Sequence, residues 1–148
     1  MVLRMKKVLK EQRGLTLIEL LAVVVILGII AAIAVPAIGA LIENSKKDAT
    51  IANAVQMVNA AKLYRSSQNS EVTTLSLKTL IEAGHIEKFL DPFKGTYDED
   101  NSIVEVTKTL GTGGNASTYE YKVTLISDKA TITGKDPTNL ARKDVELK

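Results

Sequence analysis

The chain lacks cysteine altogether, which excludes disulfide bridges, thiolate metal sites, iron–sulfur clusters and cysteine nucleophiles. It has no tryptophan, and aromatic residues make up only 4% of it, too few to suggest a sugar-binding platform. The single histidine, His85, removes every site that needs two and leaves itself as the one available base for a Ser-His-Asp arrangement. Charge of one sign is scarce as well, with a formal net charge of +2 over 148 residues. Even that excess is local: among the first fourteen residues Arg4, Lys6, Lys7, Lys10 and Arg13 face only Glu11, and the remainder is slightly acidic. Without clustered cations across its surface, the chain gives no general reason to expect nucleic-acid binding. Its length allows one compact domain plus whatever lies outside it.

What the chain has in abundance is one unbroken apolar run. From Leu20 through Ile42 no residue is charged, a stretch of 23 residues. At about 1.5 Å per residue this spans a hydrocarbon core of roughly 30 Å with some tilt to spare. A soluble core helix would be amphipathic, whereas this run is apolar on every face, so it reads as a membrane helix. The cationic stretch before it places the N-terminus in the cytoplasm and the residues after Glu43 outside. A secretory signal peptide cut near Ala37–Ala40 is the ordinary alternative. The run is longer than the roughly 7–15 residues of such a signal, and it opens on a carboxylate, Glu19. An ionised acid in a bilayer costs on the order of 2.5–3.5 kcal/mol on insertion scales, so Glu19 calls for a partner.

The residues Arg13-Gly14-Leu15-Thr16-Leu17-Ile18-Glu19 form a basic leader ending in Gly, followed by an apolar helix with Glu at its fifth position. This motif resembles the type III signal of type IV pilins and the related pseudopilins. Leu15 departs from the Phe that most members carry. The resemblance implies cleavage between Gly14 and Leu15 by a prepilin peptidase, N-methylation of Leu15, and retention of the helix on the mature protein. It also implies the partners: further copies of the chain as a homopolymer, an assembly ATPase acting through a platform protein, and the membrane before assembly. Met5 would serve equally well as the start of such a leader. Once the chain is cut, an ammonium lies four residues from the Glu19 carboxylate. In a staggered array of parallel helices a neighbour's ammonium can meet that acid, so Glu19 is expected to set the register between subunits; the plainer alternative is a carboxylate near the interface that snorkels or protonates. Gly28 and Pro36 interrupt the run; Pro removes a backbone donor and clashes one turn back, predicting a kink and a weak stretch. As in the pilins that the chain resembles, residues 28–36 are expected to lose helical order in the filament, while small residues there also permit close helix packing.

Beyond Glu43 the pattern becomes amphipathic. Ile51, Ala54, Val55, Met57, Val58, Ala61 and Tyr64 share one helical arc, with Asn53, Gln56 and Asn59 opposite. Ser76 can cap a short helix with Leu77, Leu80 and Ile81 inward, ended by Gly84 in a left-handed conformation. His85 follows that cap and is expected at the surface or half-buried. Alternating Val, Thr, Ile and Tyr mark strands over 102–109, 118–127 and 130–133. The predicted fold is therefore α+β, a long N-terminal helix against an antiparallel sheet of three to four strands. Its parts are a cleaved leader (1–14), a polymerisation helix (15–42), an amphipathic outer helix (43–66), a connecting loop with a short helix (67–101), the sheet (102–134) and a loosely docked tail (135–148).

Asp98 and Asp100, with Glu99 and Asn101, are the one candidate oxygen set for calcium, as a nearby loop is in secretion pseudopilins. Without EF-hand spacing, a solvated turn is the preferred reading, and no cofactor is expected. Asn115-Ala116-Ser117 matches a glycosylation sequon and is treated as chance. On the outer helix Lys46 and Lys62 fall on nearly opposite sides, so DNA binding is expected only where a filament repeats weak patches. No catalytic constellation is present, so the chain reads as structural rather than as an enzyme. The function expected is that of a major pilin in a type IV pilus-like surface filament, membrane-inserted first and extracellular after assembly. A competence pilin of a DNA-uptake filament and a type II secretion pseudopilin are the alternatives within the class. The absence of cysteine speaks against those competence pilins that carry a disulfide. A monomeric membrane-anchored binding module is the alternative from another class.

Overall fold

A computed structural model describes residues 16–68, 71–111 and 116–148. The leader, the Gly14–Leu15 bond and Asn115 lie outside the described residues. Helix α1 spans Leu17–Gln68, strand β1 Thr74–Ser76, helix α2 Leu77–Glu82, and strands β2, β3 and β4 Ile103–Thr109, Thr118–Ile126 and Ala130–Lys135. A single 3-10 turn, Arg142–Asp144, precedes strand β5, Glu146–Leu147. The chain divides into two units between Ile42 and Glu43.

In the C-terminal unit, residues 50–64 of α1 present their buried stripe to an antiparallel sheet of order β1-β2-β3-β4-β5. The α+β class is as expected from sequence; the sheet has five strands because two short ones, β1 and β5, close its edges. Three residues and two residues are too short to show the alternation from which strands are read, and short edge strands also blunt the sheet against foreign pairing. Cross-strand register follows the core: Val104 faces Val123 and Val106 faces Tyr121, while Leu125 pairs Ile132. Met57, Val58, Leu80, Val104, Val123, Leu125 and Ile132 are all within 1% of full burial. At roughly 1.5–3 kcal/mol for each fully buried large apolar side chain, this cluster is what holds α1 to the sheet.

Two local devices match the sequence reading. Ser76 Oγ accepts a hydrogen bond from Thr79 N at 3.2 Å and caps α2. The helix ends with His85 N donating to Leu80 O and Gly84 N to Ile81 O, both 3.0 Å, with Gly84 at φ +72°. Two expectations need correction. Asn53, opposite the apolar arc, is not left to solvent: its side-chain amide donates to Tyr97 Oη and Leu90 O, both at 3.2 Å, because the connecting loop folds over that side of the helix. The tail is not loose: Val145 is buried, β5 pairs with β4, and Arg142 forms a two-pronged ion pair with Asp48 of α1 at 2.7 and 2.6 Å. A charge match across 94 residues leaves no periodic signal to read.

Candidate assembly surface

The N-terminal unit carries its apolar residues on the outside. Among the described residues from Leu17 to Ile42, every large aliphatic side chain is exposed, from about half (Val23, 47%) to most of its area (Leu17, 86%). One 18-residue window within α1 is apolar enough to cross a membrane, and none of it is buried by the chain itself. Leaving this much apolar area in water would cost about 25 cal/mol per Å², so the surface requires lipid or other apolar helices around it.

Glu19 stands at the start of this surface. Its Oε2 accepts hydrogen bonds from Thr16 N and Thr16 Oγ1, both at 2.8 Å, while Glu19 N approaches Thr16 Oγ1 at 3.3 Å. This is a capping box, reciprocal use of a Thr and a Glu three residues later to satisfy the orphan donors of a helix N-terminus. The pattern Thr-x-x-Glu was legible in the sequence, and Thr16 is the residue that the functional reading of Glu19 overlooked. Both bonds from Thr16 end on Oε2, so among the described residues Oε1 is left for a further donor.

Gly28 and Pro36 lie inside α1, which is helical throughout. A side chain added at Gly28 or Gly39 would meet nothing within 4 Å, so the chain's own fold does not require glycine at either position. Pro36 still leaves the carbonyl one turn earlier without its backbone donor.

The acidic loop is otherwise engaged. Asp98 accepts hydrogen bonds from Asn101 N at 2.9 Å, Asn101 Nδ2 at 2.8 Å and Asp100 N at 3.2 Å, which hold its carboxyl below the ordinary range. Asp100 pairs with Lys78 at 3.2 Å and Glu99 with Lys88 at 2.6 Å. Asp98 and Asp100 thus serve a turn and an ion pair, and among the described residues no group of three His, Cys, Asp or Glu converges on a point that would hold a metal. His85 is half-buried, its ring edge-on to Tyr64 at 5.5 Å and its Nε2 3.4 Å from Ser67 Oγ.

Comparison with known proteins bears on the same segment. The family described as "Prokaryotic N-terminal methylation motif" matches residues 9–35, which include Gly14, Leu15, Glu19 and Gly28. "Type II secretion system core protein G" of Escherichia coli (strain K12) is 31% identical to the chain over 94 residues, covering 63% of this chain. The match spans 62% of that relative's length. No solved structure gives a significant match. A methylation-type signal, an uncovered apolar helix headed by a capping carboxylate, an α+β C-terminal unit and a type II secretion relative agree in one respect: over its N-terminal segment the chain resembles the type IV pilin-like proteins.

Proposed function

We propose that this chain is the major structural subunit of a type IV pilus-like filament. The leader, residues 1–14, is removed between Gly14 and Leu15 by a prepilin peptidase on the cytoplasmic side, and Leu15 becomes the methylated amino terminus. Until then the apolar part of α1 sits in the membrane; an assembly ATPase and platform then move it into a fibre of like helices outside the cell. The observation that carries this reading is the apolar surface of α1, uncovered by its own chain and headed by Glu19. Such a surface is satisfied equally by lipid and by neighbouring apolar helices, which is what transfer from bilayer to fibre demands. In the fibre Glu19 meets the Leu15 ammonium of a neighbour through Oε1. Breaking such a buried pair by deleting one partner typically costs 3–5 kcal/mol. Pro36 and Gly28 weaken α1 locally and let residues 28–36 unwind as the fibre forms or stretches.

The Escherichia coli relative, named as a core protein of a type II secretion system, favours a second reading, a type II secretion pseudopilin. Mass spectrometry of material sheared from intact cells tests the first. A peptide beginning at Leu15, with or without a methyl group, is the expected result. A sheared fraction without the chain, alongside a cell-bound form already starting at Leu15, selects the secretion reading. A cell-bound chain still carrying the leader refutes both and leaves an anchored monomer.

A further inference from the structure

Within the C-terminal unit, the turn at residues 91–95 is built around two constraints. Asp91 Oδ1 accepts a hydrogen bond from Phe93 N, and Asp91 O one from Lys94 N, both 2.9 Å. A side chain at Gly95 would lie 2.2 Å from Asp128 Oδ1 and 2.5 Å from Asp91 Oδ2, so anything larger than glycine there must displace those carboxylates. The rigid turn holds Lys94 exposed at φ +61°, the one non-glycine among the described residues in the left-handed region. A lysine standing where glycine or asparagine would relieve strain points to a use for its charge.

The residue before it, Phe93, meets a second cation. Lys46 Nζ lies 5.5 Å from the centre of the Phe93 ring, and neither Lys46 nor Lys94 has an ion-pair partner among the described residues. Lys47 and Arg142 add two more cations, paired with Glu43 and Asp48, while the Asp91 carboxylate is buried within the turn. Lys46 lies only four positions beyond Ile42, the end of the charge-free run. Four residues reach about 6 Å as helix and at most about 14 Å fully extended. The polar layer of a bilayer is about 5–8 Å deep on each side, so Lys46 is within reach of the headgroups if the C-terminal unit turns this surface toward them.

We infer that Lys46, Phe93 and Lys94 form a collar that binds anionic phospholipid headgroups on the outer side of the membrane before assembly. The inference rests on the membrane insertion of the reading above. Lysine stems cover the apolar ring while their ammonium groups meet lipid phosphates. An uncharged surface would not select for lysine on a strained turn.

The absence of native cysteine permits single-site labelling of the full chain in vesicles. A fluorophore at Thr96→Cys, beside the turn, is compared with one at Glu120→Cys on β3, using a headgroup-linked nitroxide as quencher. In vesicles with one-third phosphatidylglycerol, quenching at 96 is expected to exceed that at 120 by at least about twofold. It should fall to the level at 120 in pure phosphatidylcholine, and in the variant joining Lys46→Gln with Lys94→Gly, where glycine removes the charge and relieves the strain together. Equal quenching at 96 and 120, or quenching at 96 indifferent to lipid charge and to both lysines, overturns the collar. Shielding of position 96 that follows the protein-to-lipid ratio instead assigns the turn to a second copy and overturns it too. A label at Ile30→Cys separates the two levels of the inference: if it is open to an aqueous quencher, the membrane reading itself fails.

Discussion

A carboxylate that caps its own helix and a carboxylate that pairs with another subunit make different demands on one side chain, and Glu19 can be tested for each. Thr16→Ala removes the capping partner but leaves the acid, so it should cost about 1 kcal/mol of helix stability and leave filament yield intact. Glu19→Ala removes both and should abolish recovery of the chain in sheared filaments while membrane insertion persists; yields that fall equally for the two variants would reduce Glu19 to a cap. The tail clasp answers to pH. Hydrogen bonding from Arg142 lowers the Asp48 carboxyl below its ordinary value, and the Ala141 backbone N–H and then Lys135 lower that of Asp144. Folded values below the unfolded ones mean that their contribution is fully present above about pH 4 and is lost as pH falls through the lower folded values. The hydrogen-exchange protection of residues 141–148, taken relative to the intrinsic rate at each pH, should therefore fall on acidification through that window, and Asp48→Asn should flatten the dependence.

At the level of elements, the tight places are the turns and the tail. Gly95→Ala drives a methyl group into Asp128 and Asp91 and should destabilise the C-terminal unit by roughly 1–3 kcal/mol in urea melts, whereas Gly28→Ala, with open space around it, should leave that unit unchanged. Val145→Ala should cost about 2 kcal/mol in the same melts, because the tail contributes Val145 to the core next to Ala130 and Ile132; a loose tail would tolerate it. The amphipathic stripe of α1, the Ser76 cap and the Gly84 stop could be anticipated because each rests on spacing within a few residues. Strands β1 and β5 could not: three and two residues carry no alternation, and only the exposed ladder groups of β2 and β4 recruit them.

For the whole molecule, the two units differ in what their surfaces demand of the surroundings. The apolar part of α1 offers nothing to water, and the C-terminal unit closes its own core without it. Mild detergent should therefore keep the full chain soluble with the circular dichroism of a folded α+β protein. Detergent removal should yield either fibres or precipitate, distinguishable by electron microscopy, and not a dispersed monomer.

Read alone, the amino-acid order determined a helix long and apolar enough to cross a membrane, the methylation-type motif that contains Glu19, the α+β class and the amphipathic seam. Each is encoded in contiguous residues through length, period or a short motif, and so survives without knowledge of what lies across the fold. Tertiary structure alone decided that Arg142 reaches Asp48, that Asn53 serves the loop through Tyr97, that Asp98 and Asp100 are spent on a turn and on Lys78, and that Lys46 reaches the Phe93 ring. These pairings join residues dozens of positions apart, where charge and hydrogen-bonding capacity name many possible partners and only the packing of α1 on the sheet selects among them.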